Sequence, residues 1–361
     1  MSGEIEYQAV LPAPPFAVPS WLRPLPACDG SLALAGTDAR FGELDVIQRT
    51  ENGLSACRMT VDAMMQSADD RNAASRSLDN ISGQRPVFSG LSLARPQIMG
   101  ILNTTPDSFS DGGQHHAPAR AIAAGKSMLE AGASIIDIGG ESTRPGATPI
   151  TRNQELARVL PPLVGLKATE AVLSIDTRHA EVMERAASAG ATIINDVAGL
   201  REPGALQAAA KSGCDVVIMH MQGDPQTMQS DPQYAFAPLD IYEFLEARID
   251  EAVRAGISRD KICVDPGFGF GKTLRHNVQL VNWLAMLHGL GVPILFGASR
   301  KSSIAKMSRD EPADQRLSGS LVLAMAAVRQ GAHILRVHDV AETAQALAVE
   351  QHLLAGAQDQ G

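Results

Sequence analysis

No lysine occurs before Lys126, aromatic residues make up only 4% of the chain, and cysteine appears four times in 361 residues. Each shortage excludes something. With so few rings, the interior must be built mainly from Ala, Val, Leu, Ile and Met. Cationic side chains are outnumbered, giving a net charge of −9. The chain therefore has no general attraction for nucleic acid or for an anionic membrane, and an anionic substrate would need cations gathered locally. Cys28, Cys57, Cys214 and Cys263 are far apart and form no C-x-x-C pair. That spacing predicts reduced thiols rather than a disulfide framework. No apolar run approaches the roughly 18 residues of a membrane helix. The start, MSGEIE, has neither the basic residues nor the apolar run of a signal peptide. A cytoplasmic location is expected.

What is present divides near residue 95. Residues 1–95 are proline-rich early and polar later, with weak apolar periodicity. Short strands are expected at 31–35 and 44–47 and a helix at 62–77, while 67–84 reads as a surface loop or linker. From residue 96 the texture is regular. Eight short apolar runs, at 98–102, 134–138, 171–175, 192–194, 215–219, 261–264, 293–296 and 333–337, alternate with amphipathic segments such as 119–131, 152–165, 179–189, 239–255 and 314–330. Strand–helix alternation implies parallel strands. Eight units in about 260 residues match an α/β fold of the (β/α)8 barrel type. An open doubly wound sheet would carry a glycine-rich dinucleotide turn after its first strand, and the segment 103–113, NTTPDSFSDGG, is not one. The expected layout is an N-terminal extension over 1–95, a barrel over 96–355 and a short tail over 356–361.

Each run ends on polar residues. Asn103 ends the first, GGESTR at 139–144 follows the second, and Asp176, Asn195, His220 and Asp265 close the next four. Ser299, Arg300 and Lys301 follow the seventh; Arg336 and His338 close the eighth. In a closed barrel these ends converge on one mouth, where barrel active sites sit. A bland reading competes at single positions: Asp176, or Asn195 with Asp196, could simply cap the following helix. Eight such ends together argue for a site. Arg336 and His338 share a strand face and could grip one anion. Gly297 suggests a close backbone approach. Two other patterns are set aside. PGFGFGKT at 266–273 lacks the first glycine of a phosphate loop, and His115-His116 has no companion ligands for a metal.

The motifs IMGILNTTPDSFSDGG (98–113) and GASIIDIGGESTRPG (132–146) resemble the two signatures of the dihydropteroate synthases. Further matches are SIDT (174–177), INDV (194–197), MHMQG (219–223), DPGFGFGK (265–272), GASRKS (297–302) and RVHDV (336–340). The resemblance spans about residues 96–355; Thr104 and the long extension depart from the family pattern. It implies a (β/α)8 barrel, usually a homodimer and a sulfonamide target. The implied reaction condenses 6-hydroxymethyl-7,8-dihydropterin pyrophosphate with p-aminobenzoate, giving 7,8-dihydropteroate and pyrophosphate. The arylamine is already a usable nucleophile, so no Ser or Cys nucleophile is required. The leaving pyrophosphate needs Mg2+ and fixed cations.

By the same resemblance, Asn103 holds Mg2+ and pyrophosphate, and Arg144, Arg336 and His338 contact the phosphates. Asp265 accepts from the pterin's amino-pyrimidine edge. Asp176, Asn195 and Lys301 complete the ring contacts, with Met219, Phe270 and Gly297 as pocket walls. Phe109, Thr143, Pro145, Lys301 and Ser302 form the p-aminobenzoate pocket, on loops expected to order as substrate binds. Asp176, Lys301 and Asn103 carry the catalytic expectation. The alternatives are a pterin-binding paralogue without turnover and a pterin-dependent methyltransferase. The latter has no need of the segment 104–113, of the SRK motif or of the Arg336/His338 pair. The extension is expected to pack on the barrel or to assist dimerisation.

Overall fold

The computed structural model describes residues 6–7, 20–27, 29–51, 53–105, 117–142, 148–224 and 227–358. Its first five strands, β1 (Glu6–Tyr7), β2 (Trp21–Pro26), β3 (Leu32–Ala33), β4 (Arg40–Thr50) and β5 (Gly53–Thr60), form a small sheet in the order β1-β5-β4-β2, with β3 also on β4. Helices α1 (Val61–Ser67) and α2 (Arg71–Ser82) follow. The eight apolar runs become β6 (Gln97–Asn103), β7 (Ile135–Gly139), β8 (Val172–Asp176), β9 (Ile193–Asp196), β10 (Asp215–Met219), β11 (Ile262–Asp265), β12 (Leu295–Phe296) and β13 (Ile334–Val337). All pair in parallel in the order β11-β10-β9-β8-β7-β6-β13-β12, and a parallel bridge between Val264 and Ile294 closes the ring. The result is a (β/α)8 barrel.

Helices α3 (Ala117–Glu130), α4 (Arg152–Leu166), α5 (Ala180–Ala189), α6 (Ala205–Ser212), α7 (Ala237–Arg254), α8 (Leu274–Asn282), α9 (Ser302–Met307), α10 (Leu317–Arg329) and α11 (Val340–Gln358) surround it. The capping signals are local: Thr151 with Gln154 boxes the start of α4, and Thr273 with His276 that of α8.

The barrel strands are apolar on both faces because both are covered. Ile98, Ile136, Leu173, Ile194, Val216, Ile262 and Leu335 point outward into the helical layer. Met99, Ile135, Val172, Ile193, Val217, Cys263, Leu295 and Ile334, one from each strand, fill the lower interior. Phe88 and Leu93 close that layer from below. Phe88 sits on a two-residue turn, its N–H and carbonyl paired with Leu91 at 3.0 and 2.9 Å. Ser89 and Gly90 at the tip both have positive φ, as a primed hairpin turn requires. The Asp215 carboxylate holds the tip, accepting from the Ser89 N–H at 2.5 Å and its hydroxyl at 3.1 Å.

The stretch 67–84, whose composition marks it as loop, is mostly the helix α2, and the single helix expected over 62–77 is two. Ala68 ends the first and Asp70 caps the second, accepting from the Asn72 and Ala73 N–H groups. Ala74, Leu78 and Ile81 then fall on one face, with Ala74 and Ile81 buried. Polar weight outvoted a correct period of 3.6. The extension lies against the closed end of the barrel and one flank. Arg23 stacks 4.0 Å from the Trp283 ring, Arg85 donates to the His288 carbonyl at 3.2 Å, and His333 meets the Ala35 carbonyl at 3.3 Å. The described cysteines, Cys57, Cys214 and Cys263, are free and buried; Cys28 lies outside the described residues. Among the described residues no helix is long and apolar enough to cross a membrane.

Candidate active site

Side chains alternate along a strand, so the residue two positions beyond each lower-layer side chain also faces inward, nearer the mouth. That rule selects Ile101, Asp137, Ser174, Asn195, Met219, Asp265, Gly297 and Arg336, one per strand. An apolar floor thus changes within one step into a ring of carboxylate, hydroxyl, amide and guanidinium. One step further, Asn103 and Asp176 flank Gly139: a Cβ there would lie 3.8 Å from the Asn103 Oδ1 and 3.7 Å from the Asp176 Oδ2.

Asp137 is the hub. Its Oδ1 accepts from the Ser174 hydroxyl at 2.6 Å, and its Oδ2 from the Asn195 amide at 3.0 Å and the Arg336 Nε at 2.6 Å. The other arm of Arg336 donates to the Asp176 Oδ2 at 2.6 Å. Burial works against the Arg336 charge, but the two carboxylates more than offset it and raise its pKa. Burial pushes Asp176 up to about 7, against the pull of Arg336 and with Asp137 adding to the rise. The candidates Asp176, Asn195 and Arg336 are thus brought together. Asp137 was absent from the expected set; a carboxylate inside the apolar run of 134–138 was the available signal.

Asp265 is buried at the end of β11, and its Oδ1 accepts the Gly267 N–H at 2.7 Å. Its Oδ2 makes no hydrogen bond among the described residues. Burial raises its pKa, with Lys301 opposing. The Lys301 ammonium donates to the Phe268 carbonyl and lies 4.4 Å from the Phe270 ring centre. Burial lowers Lys301 to about 7, with Asp265 opposing. Phe270 packs on Met219, Met221, Met228 and Val197, an apolar wall facing this pair. Arg336 passes Gly297, where a Cβ would make ordinary contact, 3.4 Å from the Arg336 Cβ.

Other candidates part company. Arg300 turns away to form a two-pronged pair with Asp339, its Nε 3.0 Å from Oδ2, so the two cations of the SRK motif do not share a site. His338 and Ser299 bond at 3.0 Å through Nδ1, beside rather than within the Asp137 network. Asp196 does not cap the next helix, whose N-cap is Gly204, but ties the turn after its own strand, accepting from the Ala198 and Leu200 N–H groups at 2.7 and 2.8 Å, while Asn195 faces the bowl. Ser302 opens α9 and is exposed. Phe109, Thr143, Arg144 and Pro145 lie outside the described residues, as do His115 and His116.

Residues 99–338 match the family model described as pterin binding enzyme. The dihydropteroate synthase of Escherichia coli K12 is 48% identical over 267 residues, covering 74% of this chain and 94% of that one. Among solved structures, the Yersinia pestis dihydropteroate synthase in a sulfonamide drug complex has a TM-score of 0.70 at 49% identity, covering 73% of this chain and 96% of that one. The Xanthomonas albilineans dihydropteroate synthase in complex with 7,8-dihydropteroate has a TM-score of 0.68 at 45% identity, with coverage of 73% and 96%. A closed barrel with a carboxylate-rich bowl and this degree of likeness over nearly the full length of its relatives lead to one assignment: the chain belongs to the pterin-binding enzymes, and within them to the dihydropteroate synthases.

Proposed function

We propose that the bowl binds 6-hydroxymethyl-7,8-dihydropterin pyrophosphate against Asp265 and Asn195 and transfers its pterin-methyl group to p-aminobenzoate, with Asp176, Lys301 and Asn103 serving the chemistry. The observation that carries this reading is the open Oδ2 of buried Asp265, beside Lys301 and facing the Phe270–Met219 wall. A carboxylate so placed accepts adjacent N–H donors from an amino-pyrimidine edge, and the apolar wall takes the ring face.

Pyrophosphate leaves as negative charge builds on it. Arg336 keeps its Nη1 group without a hydrogen bond among the described residues, and His338 stands near the same strand end; both support a cationic edge for the phosphates. Cleavage that runs ahead of attack leaves positive charge on the pterin, and the Asp176 carboxylate is placed to offset it. Mg2+ fits the donors present in a limited way. Among the described residues no group of three His, Cys, Asp or Glu could hold a metal. The Asn103 amide makes no hydrogen bond there, so its hard oxygen is available. Mg2+ commonly binds with one or two protein oxygens while substrate phosphates and water fill its shell. When bound with pyrophosphate it neutralises leaving-group charge. Arg144 is assigned to the phosphates and Phe109, Thr143, Pro145 and Ser302 to p-aminobenzoate on the family resemblance alone, which also supports sulfonamide binding.

A homodimer is proposed as well; exposed Val322, Val349 and Leu353 on the adjacent helices α10 and α11 offer apolar area for it, and sedimentation tests it. The cytoplasm, where unpaired thiols persist, is the proposed location. The function is tested by mixing purified protein with Mg2+, pterin pyrophosphate and p-aminobenzoate and following pyrophosphate release and dihydropteroate together. Product from wild type, largely lost in Asp265→Ala and Arg336→Ala, supports the reading. Pterin binding without product favours a non-catalytic paralogue.

A further inference from the structure

Lys272 is a buried lysine without a carboxylate partner. It is 3% exposed, and its ammonium contacts the Gly267 carbonyl at 2.9 Å, the Phe270 carbonyl at 3.0 Å and the Nδ1 of His220 at 2.9 Å. An ammonium has three donors, and here each has one acceptor. His220 is itself 5% exposed and wedged between Phe244, 4.8 Å away edge-on, and Tyr234 at 5.8 Å. Its backbone N–H donates to the Asp265 carbonyl at 2.9 Å.

The turn that these contacts shape carries the pterin-facing groups. It starts at Asp265, gives the Gly267 N–H to the Asp265 Oδ1, offers the Phe268 carbonyl to Lys301 and presents Phe270. Its path leaves no slack at Gly267, where φ is +68° and a Cβ would lie 1.9 Å from the His220 carbonyl. A backbone bent this tightly turns several carbonyls inward with no strand or helix to receive them, and buried carbonyls need donors. One lysine supplies two, and His220 accepts its third N–H.

We propose that Lys272 and His220 act as a positioning pair for the pterin pocket, fixing the 265–272 turn so that the free Asp265 oxygen, the Phe268 carbonyl and the Phe270 ring stand in binding register. Neither residue needs to touch the substrate. The line from Nζ to Nδ1 has room for one proton, and a second would set two cations face to face. The charged groups around the pair are Asp265 and Lys301 on the lysine side and Arg201 on the imidazole side. Burial and the nearby Lys272 both hold His220 well below the usual histidine range, in keeping with an unprotonated Nδ1.

The inference rests on the pterin reading of this bowl, so the test measures pterin pyrophosphate binding directly by calorimetry with Mg2+ present, beside turnover. Lys272→Met and His220→Leu are each expected to weaken pterin binding at least about ten-fold. The double variant should be little worse than Lys272→Met alone, since the Nζ–Nδ1 contact is already lost there. His220→Asn, which keeps an acceptor near Nδ1, should stay within about three-fold of wild type. Wild-type affinity should also fall in acid as the imidazole gains its second proton, a limb that His220→Asn lacks. Should Lys272→Met fail to fold, the two His220 variants decide: equal affinity of His220→Asn and His220→Leu overturns the inference, as do additive losses in the double variant. Wild type that fails to bind pterin pyrophosphate overturns the pterin reading itself; wild type that binds and turns over beside unaffected variants overturns only the positioning pair.

Discussion

Arg336 and Asp137 are 199 residues apart in the chain and meet at 2.6 Å inside the barrel, with Asp137 fully buried. Parallel pairing of β13 with β6 and of β6 with β7 brings their strands within two places of each other. The pair is the mechanical centre of the site, because the same carboxylate also holds Asn195.

Removing one member of a buried pair strands the other, at a cost of about 3–5 kcal/mol. Asp137→Ala is therefore expected to lower the unfolding free energy by about that amount in a denaturant titration. It should also release Asn195 and Arg336 and depress kcat/KM more than Ser174→Ala, which removes only the hydroxyl. A larger loss in the Ser174 variant would show that the network is not centred on Asp137.

Asp176 takes up a proton near pH 7 in the folded protein, whereas an unfolded aspartate does so near about 3.9. The folded carboxyl thus keeps its proton across a window in which the unfolded one has lost it. Its contribution to stability is fullest below the lower value and falls as pH rises to about 7. Asp176→Asn should consequently compare better with wild type in Tm at pH 8 than at pH 4. Under the proposed function turnover has the opposite sense, since protonation removes the charge that Asp176 is proposed to turn toward the pterin. Wild-type kcat/KM should drop as pH falls through about 7, and Asp176→Asn should be slow with that inflection absent.

His333 gives an independent acid response at the closed end. Burial, with Arg85 adding, lowers it to about 3, while an unfolded histidine titrates near about 6.5. The associated stability is complete above the unfolded value and is lost as pH falls toward the folded one. Between pH 7 and 5 the loss is about 2 kcal/mol. Chemical denaturation at the two pH values should show a loss smaller by about that amount in His333→Gln than in wild type, since burial also lowers His220 and His288 and they contribute to both.

Phe88 fills the floor beneath the strand side chains. Truncating a buried phenylalanine costs about 3–5 kcal/mol, so Phe88→Ala should lower Tm markedly. Turnover at 25 °C should be nearly retained, because the lower layer separates position 88 from the polar ring. Equal losses of stability and kcat would mean that the two layers are coupled.

The barrel was legible because period and strand-end chemistry agreed: all eight runs became strands, and Asp176, Asn195, Asp265 and Arg336 face one bowl. Asp137 escaped notice because it lies inside a run, not after it. Counting by two from Ile135 finds it, but only once the inward face is known, and that is set by the register of eight strands rather than by any one segment. The partners of Arg300 and His338 were hidden for a related reason: adjacency in SRK and RVH says nothing of which side chain turns outward to Asp339 or sideways to Ser299. The extension was read least well. Its strands pair over short distances, but its helices follow a correct period carried by few apolar residues, and its seam with the barrel depends on His288 and His333 far along the chain.

The hairpin tip at Phe88 makes the barrel a blind vessel. Everything that enters or leaves the bowl shares the opposite opening, and whatever rests against Asp265 lies deepest. Traffic through a single door forms a queue: whatever is seated against Asp265 must enter before anything lodged above it, and can retreat only after the groups nearer the rim have given way.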